Sequence, residues 1–330
     1  MCRSLWFVEW VHNITERSIE TNGVRLRVTE AGDRGAPVVL LAHGFPELAY
    51  SWRHQIPALA AAGYHVIAPD QRGYGGSSRP DAVEDYDIVN LTADLTGLLD
   101  DVGADTAVII GHDWGSVVAA HFPLLYPQRT SAVALLSVPP TPRMPQPPLE
   151  IMRTAFGDGF FYVIYFQQVG LADAELDADP ARTIRRMFGG LRNDQYEAAL
   201  AAMTAPGPQG FIDRLREPDG APDWITQNEI DHYVTEFTRT GFTGGLNWYR
   251  NMDRNWSLVA DAPAATIEAP TLFLAGSADP VLDMTPRDRV ADIVTGPYRE
   301  VLIDGAGHWV QQERPAEVNT ALLKFLADLD

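Results

Sequence analysis

Thr106-Ala107-Val108-Ile109-Ile110-Gly111-His112-Asp113-Trp114-Gly115-Ser116 is the stretch that decides the fold. Its first five residues form an apolar run rich in β-branched side chains, as in a strand covered on both faces. From Ser116 to Tyr126 the pattern becomes helical. Between the two, Gly111-His112-Asp113-Trp114-Gly115 has the spacing of a nucleophile elbow, a strained strand-to-helix turn that pushes one side chain out over an α/β sheet. Most such turns carry serine at the centre. Here it is Asp113, and a carboxylate is already ionised at pH 7. It needs no base to activate it, and it can attack a saturated carbon to form an ester on the protein. Strained or activated carbon electrophiles, such as epoxides or alkyl halides, are the matching substrates.

Outward from this turn, strand and helix patterns alternate. Ser18 to Ala31 reads as a hairpin around Asn22-Gly23. Pro37 to Ala42 is a buried strand ended by His43-Gly44-Phe45-Pro46. A helix is expected over Ser51–Ala62, a strand over Tyr64–Ala68, a glycine-rich loop over Arg72–Ser77, a helix over Asp87–Val102 and a strand over Ala132–Val138. Such alternation predicts an α/β fold with a mostly parallel sheet flanked by helices. In these sheets the ligand crevice lies at the carboxyl ends of the strands. The character changes at Pro139, the first of six prolines up to Pro148. From there to Asn255 the pattern is helical and aromatic, and no strand alternates with it. We expect an inserted helical cap over 139–255, between core segments 18–138 and 256–330. Strand patterns resume at Thr271–Ala275 and Tyr298–Ile303, and a helix over Pro315–Leu329 closes the chain.

The 330 residues suffice for one large α/β domain with a sizeable insertion, and 46% apolar content supports a substantial core. A net charge of −19 argues against nucleic acid or an anionic membrane as partner. Only one cysteine, Cys2, is present, so neither an intrachain disulfide nor a cysteine metal cluster can form. That is compatible with a cytoplasmic setting. No stretch reaches the apolar length of a membrane span. Residues 1–17 are set apart as an N-terminal extension. Its Trp6 and Trp10 read as part of a plain tail or as an arm docked on the body or on a second copy of the chain, as in a homodimer.

Two further polar residues follow later strands. Asp279 lies in Gly276-Ser277-Ala278-Asp279-Pro280, and His308 lies in Gly305-Ala306-Gly307-His308-Trp309. The order nucleophile, acid, histidine is the one this turn predicts. Once Asp113 is alkylated, its ester must be hydrolysed. His308 can take a proton from water near neutral pH, and Asp279 would hold its tautomer and stabilise its cation. Backbone N–H groups of Phe45 and Trp114 are the candidate donors for the oxyanion that develops. Asp283 is a rival for Asp279 but lies further from the strand end. Any one of these residues has a bland reading, as a helix cap, a turn former or a satisfied core histidine. Their occurrence together, in order at three strand ends, does not. His43 and His112 read as structural. Epoxide opening also needs an acid for the departing alkoxide, and a tyrosine stays protonated at pH 7. Tyr165 and Tyr249 are candidates, although spacing does not separate them from Tyr162, Tyr196 and Tyr233.

With these residues assembled, the chain from about Glu16 onward resembles the soluble-type epoxide hydrolases of the α/β-hydrolase fold. The likeness is carried by His43-Gly44-Phe45-Pro46, Ser51-Trp52-Arg53, Gly111-His112-Asp113-Trp114-Gly115, Tyr165-Phe166-Gln167, Asn247-Trp248-Tyr249-Arg250 and Gly307-His308-Trp309. It implies conversion of an epoxide and water to a vicinal diol. It implies Asp113 as nucleophile, Asp279 and His308 as the charge pair, and Tyr165 with Tyr249 as ring-opening acids. Phe45 and Trp114 would supply the oxyanion hole, and no cofactor or metal is implied. It also implies a cis bond before Pro46. A dehalogenase on the same scaffold would instead need indole or amide donors for halide, of which Trp114 is one. A receptor or carrier that kept the pocket would bind without turnover.

Overall fold

A computed structural model of the chain describes residues 14–189, 204–285 and 287–329. Trp6, Trp10, Cys2 and Tyr196 lie outside the described residues. Eight strands form one sheet: β1 (Thr15–Thr21), β2 (Val24–Ala31), β3 (Val38–Ala42), β4 (His65–Pro69), β5 (Ala107–His112), β6 (Thr130–Leu136), β7 (Thr271–Gly276) and β8 (Tyr298–Ile303). Their order is β1-β2-β4-β3-β5-β6-β7-β8. The β1–β2 and β2–β4 pairs are antiparallel, and every other pair is parallel. The expected hairpin turns at Asn22-Gly23, with Thr21 opposite Val24. β1 begins at Thr15, so its first residues fall in the stretch set apart as an extension.

Burial follows position in the sheet. β3, β4 and β5 are buried along their whole length, as their continuous apolar runs require, whereas the edge strand β8 alternates outward and inward. Helices α1 (Gln55–Ala61), α2 (Ile88–Val102) and α3 (Trp114–Leu125) cover the sheet. Asp87 caps α2 by accepting from the Asn90 N–H, and Gly103 ends it in the left-handed region. Leu91, Leu95, Leu98 and Leu99 are the buried stripe of α2, packing into one core layer with Ile109 and Val133. A second layer on the opposite face joins Ile110 and Leu274 to Leu322 and Leu326 of the last helix, Pro315–Ala327.

Two expected elements differ. The helix predicted from Ser51 starts at Gln55, preceded by a 3₁₀ turn over Ala49–Trp52. Pro57, which lacks an N–H, then sits in the first turn of the α-helix, where that loss costs least. β6 stops at Leu136 because Ser137 adopts a positive φ of 67°, and the Ser137 hydroxyl donates to the His308 carbonyl at 2.7 Å.

Between β6 and β7 the described residues form helices and loops without a strand in the sheet. The helix Met252–Leu258 runs through the boundary expected at 255. This insertion packs against the core rim through specific bonds. The Trp248 indole donates to the Arg72 carbonyl at 3.2 Å, and Asn255 accepts from the Ile88 N–H at 2.8 Å. Arg53 pairs with Glu229 of the Gln227–Thr240 helix at 2.5 Å. No helix among the described residues is long and apolar enough to cross a membrane.

Candidate active site

Asp113 occupies the turn between β5 and α3 with φ 53° and ψ −119°. A positive φ is costly for a residue with a Cβ, and here it lifts the carboxylate clear of the strand. The turn is possible only because its neighbours are small. A Cβ on Gly115 would collide with the Ala42 carbonyl at the end of β3. A Cβ on Gly44 would collide with the Asp113 carboxylate itself, so glycine lets the Phe45 backbone approach. The Phe45 N–H donates to Asp113 Oδ1 at 2.8 Å, and the Phe45–Pro46 bond is cis, as the motif implied. Trp114 follows as the first residue of α3.

His308 stands on the other side of the carboxylate, its Nε2 at 3.6 Å from Asp113 Oδ2. Its Nδ1 faces Asp279 at 3.1 Å to Oδ1 and 3.0 Å to Oδ2. The Asp279 side chain is sealed from solvent, while that of Asp113 keeps 15% exposure, so of these two carboxylates only Asp113 can be reached from outside. Asp283 is exposed on the short helix Val281–Met284. Burial alone would raise the Asp113 carboxyl. The His308 hydrogen bond and charge, then His112 and the Phe45 N–H, outweigh it and hold the group below the ordinary carboxylate range. Burial alone would likewise lower His308, but the Asp279 and Asp113 carboxylates push the imidazole well above its ordinary value.

Two carboxylates not singled out in the sequence brace this arrangement. Glu313 accepts from the Gly307 N–H at 2.7 Å and from the Trp309 N–H at 3.0 Å, bracketing His308. Glu47 is fully buried behind the elbow. It faces His112 Nδ1 at 2.6 Å and accepts from Gln311 and Gln312, both at 2.9 Å. His112 Nε2 in turn meets the His308 carbonyl at 2.7 Å. His112 is thus held from both sides within the core, as is His43, whose Nε2 takes the Gln71 N–H at 3.0 Å. One sequence signal was available for each carboxylate. Glu47 directly follows the His43–Pro46 motif, and Glu313 lies five residues past His308 in the polar run Gln311-Gln312-Glu313-Arg314.

The structure separates the candidate tyrosines. Tyr249 is buried above the elbow, its ring 5.0 Å from that of Trp114 and 5.6 Å from that of Phe45. The tyrosine beside it is Tyr162, with ring centroids 6.0 Å apart, and not Tyr165. Burial raises both the Tyr162 and Tyr249 phenols, and each lies in the field of the Asp113 carboxylate. Tyr165 lies in a different field. Burial and then the Glu175 carboxylate raise its phenol, and its ring packs on Phe160. Both tyrosines belong to one four-residue helix, Tyr162–Tyr165, which is too short to carry a periodic pattern. Its orientation comes from tertiary packing, with Phe166 wedged 5.5 Å from Tyr162 and 5.1 Å from Tyr249.

Residues 37–315 match the family model of the α/β-hydrolase fold. The chain is 68% identical over 316 residues to epoxide hydrolase A of Mycobacterium tuberculosis, covering 96% of this chain and 98% of that protein. A crystal structure of epoxide hydrolase A from Mycobacterium thermoresistibile is similar with a TM-score of 0.94 at 66% identity, covering 96% of this chain and 99% of that one. An epoxide hydrolase from an endophytic Streptomyces is similar with a TM-score of 0.90 at 40% identity, covering 96% of each chain. Coverage at this level spans the elbow, the histidine loop and the helical insertion alike, and the chain belongs to the epoxide hydrolases of the α/β-hydrolase fold.

Proposed function

We propose that this epoxide hydrolase opens its substrate with Asp113, forming an ester, and releases the diol with water activated by His308. The single observation that supports the scheme best is the position of the Asp113 carboxylate. One oxygen takes the Phe45 N–H at 2.8 Å while the other lies 3.6 Å from His308 Nε2. Phe45 stabilises Oδ1 and leaves Oδ2 as the attacking atom.

In the first half-reaction Oδ2 attacks a ring carbon and the carbon–oxygen bond of the ring breaks. The released oxygen is a far stronger base than a phenolate, so Tyr162 and Tyr249 donate to it while resting fully protonated themselves. The proton lost from the tyrosine pair is restored at the expense of the His308 imidazolium, which esterification has deprived of one of its two carboxylate neighbours. In the second half-reaction neutral His308 takes a proton from water, and the hydroxide adds to the ester carbonyl carbon of Asp113. The oxyanion forms where the Phe45 N–H already points, with Trp114 as the second backbone donor. Collapse expels the diol oxygen, which leaves with the proton of the new carboxyl group. The cycle returns a carboxylate, an imidazolium and two phenols, and its sum is epoxide plus water to diol.

The 139–255 insertion acts in this scheme as a cap that supplies the tyrosines, over a core formed by 18–138 and 256–330. We assign the ring-opening role to Tyr162 rather than Tyr165. A cytoplasmic setting accords with the single cysteine. One turnover in water labelled with heavy oxygen tests the scheme. The first diol released should carry unlabelled oxygen from Asp113. Label in that first diol would mean that water attacks the ring directly.

A further inference from the structure

Two motif residues have no part in the chemistry above. Gln167 ends the Tyr165-Phe166-Gln167 motif, and Arg250 ends Asn247-Trp248-Tyr249-Arg250. They meet across the site in a reciprocal pattern. The Gln167 side-chain amide donates to the Tyr249 carbonyl at 3.1 Å, and to its own Val163 carbonyl at 2.8 Å. The Arg250 Nε donates to the Phe166 carbonyl at 3.0 Å. Helices end with carbonyls that have no partner within the helix. Here the Phe166 carbonyl, just past Tyr162–Tyr165, takes the Arg250 side chain, and the Tyr249 carbonyl near the end of Thr243–Arg250, which also takes a backbone N–H, takes the Gln167 side chain, so each tyrosine-bearing helix is tied at its end by a side chain from the end of the other.

Both terminal nitrogens of Arg250 are also engaged. They reach Asn247 Oδ1 at 2.8 Å and both oxygens of Asp173. The Arg250 side chain is 3% exposed and that of Asp173 12%. Asp173 is itself fixed by the Gly170 N–H and the Thr243 hydroxyl, both at 2.8 Å. Replacing a buried ion pair by apolar groups of similar volume often leaves a fold as stable or more so. Stability alone therefore gives weak reason for placing an arginine here. What the guanidinium does supply is directional bonding in a fixed plane, which a lysine cannot reproduce.

We propose that Gln167, Arg250 and Asp173 form a positioning clamp that sets the spacing of Tyr162 and Tyr249 over Asp113. This rests on the assignment of those tyrosines as the ring-opening acids. The clamp acts through backbone carbonyls adjoining the tyrosine segments and touches neither the nucleophile nor the base. It therefore serves alkylation and is indifferent to ester hydrolysis, which depends on His308 and the Phe45 N–H.

The two half-reactions are measured separately by rapid quenching and mass spectrometry of the intact enzyme. Gln167→Met keeps the side-chain length and removes the donor; Arg250→Lys keeps the charge and removes the fork. Misplacement of a reacting group by about 1 Å can cost about a hundredfold, so each variant should slow alkylation about tenfold or more while hydrolysis of the ester stays within about twofold. Equal slowing of both steps, or alkylation at the parent rate, would overturn the clamp. Should Arg250→Lys fail to fold, Gln167→Met decides alone. The double variant Tyr162→Phe/Tyr249→Phe separates the two ideas. If it alkylates at the parent rate, the tyrosine assignment is lost and the clamp with it. If it fails to alkylate while Gln167→Met reacts at the full rate, only the clamp is lost.

Discussion

The rim of the sheet and the underside of the helical insertion supply the two halves of the site by different means. At the rim, Asp113 follows β5 directly, Asp279 and His308 lie three and five residues past the ends of β7 and β8, and their positions derive from a sheet whose register is fixed along those strands. In the insertion, Tyr162 and Tyr249 sit on short helices whose orientation is set by Phe166, Gln167 and Arg250. A strand end constrains its next residue through local geometry. A one-turn helix constrains its side chains only through what packs on it.

The sharpest division between the regions is temporal. His308→Gln should leave alkylation intact and stop the chain at the ester, lowering turnover by at least about 10⁴-fold. Intact-mass measurement after mixing with excess epoxide should find the enzyme carrying the added mass of one substrate. A variant that turns over without storing that adduct would erase the distinction between rim and insertion.

Within the insertion, Tyr162→Phe should slow alkylation by about 10²- to 10⁴-fold, the usual contribution of a positioned acid. Tyr165→Phe, altering a ring beside Phe160 and Glu175, should change it by no more than about twofold. Single-turnover rates for the pair of variants compare the two tyrosines directly, and a reversed order would return the role to Tyr165.

A smaller effect comes with pH. In the proposed scheme His308 works in hydrolysis as the neutral base, and its value in the free enzyme is raised by Asp279 and by Asp113. Acid therefore silences it, and ester hydrolysis should fall about tenfold per pH unit below the value that applies in the ester. Esterification removes the Asp113 charge, so that value lies below the one in the free enzyme. The inflection of ester hydrolysis should accordingly fall at lower pH than the imidazole titration of the resting enzyme followed by NMR. Coincident values would argue that Asp113 and His308 do not sense each other. The smallest effect concerns the join between the regions. Arg53→Met removes the pair with Glu229 and the bond to Gln312 at 2.6 Å, and should cost about 1–2 kcal/mol in denaturant unfolding.

The sequence was most legible where local rules act. The hairpin, the buried strands, the mostly parallel order and the convergence of Asp113, Asp279 and His308 on one place followed from alternation, turn chemistry and strand-end placement. Asp279 separated from Asp283 because the residue nearer the strand end reaches the histidine. The sequence does not separate Tyr162 from the other four candidates, because no periodicity exists within four residues. Glu47 and Glu313 are illegible for different reasons. Glu47 meets His112 from 65 residues away, a contact that only the fold makes, whereas Glu313 bonds the backbone four and six residues before it, where no local pattern marks a carboxylate as the acceptor.

The bonds across that join also bear on how the molecule melts. Trp248 donates to the Arg72 carbonyl, Asn251 to the Val83 carbonyl at 2.5 Å, and Asn255 accepts from the first N–H of α2. Peeling the helices away would strand buried donors and acceptors on the sheet as well as on the helices, each at a cost of about 1–3 kcal/mol. Heating should therefore dismantle the molecule in one cooperative endotherm, with no separate early transition for the tyrosine-bearing helices.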